Sequence, residues 1–390
     1  MPSGALNKEN VPPRAYREIP ASALGKRRKQ GEDGNTDDHD NSKRSQLAVG
    51  PRKRGMKTDA LVHHGRHFGR TINMFCNFNN LIREGILQEA EMQSNDLELE
   101  DLSEHERSEH ELFNKLLRLC PFLVDRLFSD DRTNEDVLYS AESLSRGVSG
   151  ARSDDLKTMK VAVIDWITPE GGVLLLPLAR NVKTSRGFFH DVTGEHLCPT
   201  DYDWKDPAVR AALRSGQLVM TGLQWPRFLY RNLRTNPNNA WEGLFRSKIL
   251  VLAYKHIFVS PSAASGESRS TRSGNAQIHS MTSISTASLA YIAALLRFSL
   301  SHWHVFSRND KNADSERFYT GILEFLDDPS EAKDVEDLLN WWNGQIFPAQ
   351  SSYHCGQQSL PPSSALAMLR EQRVREERSQ LTERPQQSQT

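Results

Sequence analysis

The stretch from Ser285 to His302 (STASLAYIAALLRFSLSH) constrains the fold more than any other part of the chain. From Ala287 to Leu300 almost every position is apolar or small, whichever face of a helix it falls on, and Arg297 is the only charge. A helix apolar all round must be buried on all sides, and this run is shorter than the ~20 residues of a membrane span. It predicts the central helix of a mainly α, single helical domain, N-capped by Ser285, with amphipathic segments packed around it.

Those segments can be placed from apolar periodicity and end signals. Leu61, Phe68, Ile72, Phe75, Ile82 and Ile86 predict a helix that Gly65 and Gly69 interrupt or weaken. Ser103 with Glu106 matches a capping box ahead of Leu112–Cys120. Thr133 caps a helix expected to close at Gly147, and Ser153 starts another that Thr168-Pro169 stops. Asp206-Pro207 through Gly216 carries an N-cap, a proline at the first helical position and a glycine past the end. Trp241–Phe258, the residues after Asp314, and Ser330–Phe347 complete the helical set. The period changes after Gly171-Gly172. Val173–Leu178 predicts a strand and Gly187–Pro199 a small hairpin, together a β-element at about 173–200.

The ends differ in composition. Residues 1–56 are rich in Pro, Gly, Ser and charge and predict a disordered basic arm. Over residues 1–60 there are 13 Lys and Arg against 8 Asp and Glu, a net of +5. The charge clusters at Lys26, Arg27, Arg28 and Lys29, and again at Arg52, Lys53 and Arg54, patterns that serve nuclear import or contact nucleic acid. Between Gln88 and Glu111 the balance reverses, with ten Asp and Glu against one Arg. The domain is bounded at residues 57–350, and residues 351–390 read as a polar linker and a charged tail with a helical pattern over Ala365–Leu381. No transmembrane segment is predicted. Cys76, Cys120, Cys198 and Cys355 form no CxxC pair, which with no secretory signal predicts reduced thiols inside the cell.

Several stretches, among them Lys57-Thr-Asp-Ala-Leu-Val-His-His-Gly-Arg-His-Phe-Gly-Arg-Thr71, Gly147-Val-Ser-Gly-Ala-Arg-Ser-Asp-Asp155, Ile164-Asp-Trp-Ile-Thr-Pro169, Gly243-Leu-Phe-Arg-Ser-Lys248 and Trp341-Trp-Asn343, carry a resemblance. From about residue 52 to 350 the chain resembles an uncharacterised domain-of-unknown-function family expanded in mushroom-forming (basidiomycete) fungi. The resemblance implies one domain and that source. It transfers no catalytic residue and no cofactor.

No chemistry-bearing motif stands above the background of a 390-residue chain. His63 and His67 have the i, i+4 spacing that lets two imidazoles meet one ion, and His190, His196 and Cys198 could complete a metal site, yet there is no HExxH. Gly147-Val-Ser-Gly150 lacks the GxSxG elbow, and Gly171-Gly172 is no phosphate loop. Asp154-Asp155 reads as helix capping. Arg66, Arg70, Arg180, Lys183 and Arg186 lie in polar stretches from which cations reach phosphates. The leading expectation is a non-enzymatic nuclear binding or regulatory protein whose partner is nucleic acid or a chromatin protein, with no membrane partner. The alternatives are a metal-dependent or hydrolase-like enzyme built on the His and Cys set, and a helical scaffold or oligomerisation module.

Overall fold

A computed structural model describes residues 59–348, apart from 96–97, 130, 132, 265–272 and 310–313. The chain divides into two units, Met1–Gly55 and Met56–Thr390, and every described residue belongs to the second. The described residues are mainly helical. In order they form α1 (Ala60–Thr71), α2 (Phe78–Asn95), α3 (Glu104–Leu119), α4 (Phe122–Phe128), α5 (Asn134–Ile167), α6 (Asp191–Leu197) and α7 (Pro207–Ser215). There follow α8 (Lys248–Tyr254), α9 (Pro261–Ala264), α10 (Asn275–Ile278), α11 (Thr286–Leu300), α12 (Ser315–Leu326) and α13 (Ala332–Ile346).

The apolar run forms α11, and every residue from Ala287 to Leu300 is buried. Ser285 Oγ accepts from Ser288 N, while Ser288 Oγ accepts from Ser285 N, so the helix opens on a reciprocal cap. Helices α1, α5, α6, α8 and α12 pack around it. Ser103 with Glu106, Asp206 with Pro207, and Asp314 cap α3, α7 and α12 as their side chains predict.

Two cores share one strut. Phe68, Phe78, Ile82, Phe113 and Leu116 make an N-terminal core with Val137, Ala141 and Leu144 of α5. The larger core around α11 takes Leu156, Met159, Val163 and Ile167 from the second half of the same helix. That helix runs unbroken through Gly147 and Ser153, where the sequence predicts an end and a start. The reason is close approach. A Cβ on Gly147 would lie 2.3 Å from the carbonyl oxygen of Val62, and one on Gly65 would lie 2.3 Å from that of Leu144. Here glycine lets two helix backbones touch, and the helix-weakening effect of its freedom loses to that contact.

The expected β-element at 173–200 is absent; no strand occurs among the described residues. Val173–Leu178 has no strand to pair with and lies as an irregular loop. Leu174 and Leu178 reach the core, while Val173, Leu175 and Leu176 stay 83%, 98% and 61% exposed. In place of the hairpin, a 3-10 turn at Gly187–Phe189 leads into α6. His190 caps that helix by accepting from Val192 N at 3.2 Å. Gly194 lies beneath the Trp204 ring, which a Cβ would strike at 2.2 Å. The helix predicted over Trp241–Phe258 starts only at Lys248, capped by Ser247, because Gly243 and Phe245 turn the chain at positive φ (77° and 53°). It ends in a π-helical turn, Lys255–Val259.

Candidate anion-binding groove

One face of α5 presents Arg152, Leu156 and Lys160, with Ser153 and Lys157 beside them, as i, i+4 neighbours on a helix must. Across from it stand Asn181 and Lys183 from the loop after α5, Phe298 at the end of α11, and His304, Val305 and Phe306 beyond. Together they enclose a hollow of about 440 Å³. Arg152 and Phe306 also line a second hollow of about 230 Å³, with Phe75, Cys76 and Arg308 among its other walls. Arg152 therefore stands where the two meet.

The Arg152 guanidinium lies 5.4 Å from the centre of the Phe306 ring and 5.9 Å from that of Phe75. Burial lowers its pKa, so the fold holds this charge at a cost, and no carboxylate among the described residues offsets it. Lys157 and Lys160 likewise make no ion pair among the described residues. Arg308, by contrast, is held bidentate by Glu316. The groove thus offers three cations without a carboxylate partner among the described residues, interleaved with aromatic side chains. Such an arrangement attracts anions.

Lys183 and Arg186 have another task. Lys183 is 5% exposed, and its Nζ donates to the carbonyls of Phe298 at 2.6 Å and Trp303 at 2.7 Å. Burial, with Arg186 and Lys160 nearby, pushes its amine down to about 6. Arg186 is fully buried and donates to Ser299 O at 2.8 Å and Arg180 O at 3.0 Å. These two side chains donate to carbonyls in the last turn of α11 and just past its end. Arg180 pairs with Asp165 at the surface.

The remaining predicted residues are dispersed. Arg66 pairs with Asp154 at 2.8 Å. Arg70 is buried and grips Asp155 through Nε and Nη2, so its charge faces a carboxylate and not solvent. Asp155 also accepts from the Tyr291 hydroxyl at 2.7 Å, and Arg70 donates to Asn275 Oδ1 at 3.1 Å. Asp155 is thus an interior residue of α5, and the adjacent carboxylates do not cap a helix. His63 is exposed, whereas His67 stacks on His279 with ring centres 4.1 Å apart. Burial, reinforced by neighbouring positive groups, pushes His67 down to about 3 and His279 to about 4. His190 caps α6 and faces Leu176 O at 2.8 Å, and His196 Nδ1 faces Val192 O at 2.8 Å. The Cys198 thiol donates weakly to backbone carbonyls and is pushed up to about 11 by burial. Among the described residues no three His, Cys, Asp or Glu side chains are grouped to hold a metal ion. Lys26, Arg27, Arg28, Lys29, Arg52, Lys53 and Arg54 lie outside the described residues.

The groove residues were hidden in the sequence for one reason. Arg152 joins Lys157 and Lys160 on one helix only if α5 is continuous through Ser153, and a helix starting there leaves Arg152 outside it.

The described part of the chain is thus a helical protein with an anion-attracting groove beside a buried central helix. Residues 146–347 match a family of unknown function, DUF6698, and the chain belongs to it. The match begins inside α5 and ends at Phe347, so it takes in the core around α11 and leaves α1 to α4 outside. No curated protein and no solved structure matches the chain.

Proposed function

We propose that this is a non-enzymatic binding protein whose groove takes the phosphates of a nucleic acid. The observation that carries the proposal is the trio Arg152, Lys157 and Lys160, cations on one face of α5 with no carboxylate partner among the described residues. Phosphate contacts require only point charges at a suitable surface. The basic clusters of the N-terminal arm, known here from sequence alone, add non-specific attraction and a nuclear address. The same proposal places the protein inside the cell and in the nucleus, and its source among mushroom-forming fungi, where the sequence resemblance points. No helix among the described residues is long and apolar enough to cross a membrane.

The test is a titration of the full chain against labelled single-stranded DNA and RNA. Association should be nearly independent of sequence and should weaken steeply as salt rises. Absence of any association at low ionic strength would refute the proposal. Nuclear residence is tested separately by replacing Lys26–Lys29 and Arg52–Arg54 with alanine in a tagged protein, which should abolish nuclear accumulation.

A further inference from the structure

On another side of the larger core, Phe258, Val259, Ala276, Met281, Ile346 and Phe347 line an apolar hollow of about 460 Å³. Its walls are shaped by unusual backbone. The π-helical turn Lys255–Val259 forms one side. Gly274 sits so close that a Cβ there would meet Val259 O at 1.8 Å, and Ser280 adopts a left-handed conformation at φ 51°. Backbone of this kind persists only where its surroundings over-determine it, and it gathers at sites that receive something.

The chain itself indicates the occupant. Ile346 and Phe347 are wall residues, and Pro348 is the last described residue, so residues 349–390 leave from the edge of the hollow. Within that tail, Ala365-Leu-Ala-Met-Leu369 is an apolar run in otherwise polar and charged sequence. Leu366 and Leu369 have the i, i+3 spacing by which a helix lays its apolar face into a groove. An extended linker of this length reaches roughly 50 Å, so distance does not forbid the contact. Residues 265–272, also outside the described residues, read Ser-Gly-Glu-Ser-Arg-Ser-Thr-Arg and carry no apolar side chain that could fill the hollow.

We infer that the hollow is the docking site of the chain's own tail, with Leu366 and Leu369 seated among Val259, Met281 and Phe347. Tethering makes the contact intramolecular, so an intrinsically weak apolar fit is sufficient.

The test uses the full chain with the photo-crosslinker p-benzoylphenylalanine in place of Ala365, which shares the Leu366 and Leu369 face of a helix, followed by irradiation and peptide mapping. The crosslink should fall on residues 258–259, 276–282 or 346–347, within a monomer, in a yield independent of concentration. Leu366→Asp with Leu369→Asp should abolish it, and so should Met281→Glu, a change at a partly exposed position that spares the rest of the core. In the tail double variant, amides of 276–282 should also lose protection from hydrogen exchange. A crosslink elsewhere on the domain, or none, would overturn the inference. A yield that rises with concentration and appears in dimers would also overturn it, assigning the hollow to a second copy.

Discussion

Arg70 and Asp155 are joined by two hydrogen bonds of 2.8 Å, between side chains 3% and 7% exposed. The pair fastens α1 to α5 directly beneath α11, whose Tyr291 hydroxyl binds the same carboxylate. Removing one member strands the other charge, which costs about 3–5 kcal/mol. Arg70→Met should therefore lower the thermal midpoint sharply, and Asp155→Asn should do so too. Arg70→Met with Asp155→Leu should recover much of the loss, because no uncompensated charge remains. Thermal denaturation of the three variants checks this, and a single variant with an unchanged midpoint would contradict it.

The crossing of α1 and α5 predicts a contrast between glycines. Gly147→Ala should destabilise by about 1–3 kcal/mol or more, since the added methyl meets backbone that cannot yield. At Gly321 on α12 nothing lies within 4 Å of an added Cβ. Gly321→Ala should therefore stabilise by about 0.5–1 kcal/mol through helix propensity alone. Urea unfolding of both variants measures the difference, and equal effects would mean that the two helices do not touch.

The stacked His67 and His279 predict a pH dependence of stability. Their folded pKa values, about 3 and about 4, lie below the ordinary histidine value of 6.5. Below 6.5 the unfolded chain binds more protons than the folded one, so stability is full above that pH and falls progressively toward pH 3–4. Urea midpoints should decline between pH 7.5 and pH 5. His67→Phe, which keeps a ring against His279, should flatten that decline. An equally steep decline in the variant would show that the loss comes from other groups.

The central helix makes a simpler prediction. Ala294 is 2% exposed inside α11, and an unpaired carboxylate there costs several kcal/mol, about half or more of a typical domain's stability. Ala294→Asp should leave little folded protein, as far-ultraviolet circular dichroism and a thermal scan would record.

Much of the helical scaffold was legible because its signals are local. Ser285, Ser103 and Asp206 announce their helices through caps that involve only neighbouring residues, and an all-apolar run has no alternative to burial. Gly147 and Val173–Leu178 misled for the opposite reason. A glycine that breaks a helix and one that admits a second helix are identical in sequence, and only the position of Val62 separates them. An apolar run becomes a strand only if another strand pairs with it, and among the described residues none does. The site was least legible. Lys183 and Arg186 look like free cations, yet their partners are carbonyls at Phe298 and Ser299, over a hundred positions away. Arg152, Lys157 and Lys160, which do remain without carboxylate partners among the described residues, need the full course of α5 to be seen as one face.

The groove is tested most directly by the salt dependence of nucleic-acid affinity in Arg152→Ala, Lys157→Ala, Lys160→Ala against the unaltered chain. A variant with Arg317→Ala and Glu324→Ala, which removes a surface ion pair of α12 whose residues line neither hollow, serves as the control. If the groove holds phosphates, the triple variant should bind more weakly at every salt concentration, and its slope of log affinity on log salt should shrink by about two to three. The control should match the unaltered chain. Equal affinity and equal slope in the triple variant, with folding intact, would contradict the assignment and place any binding outside the groove.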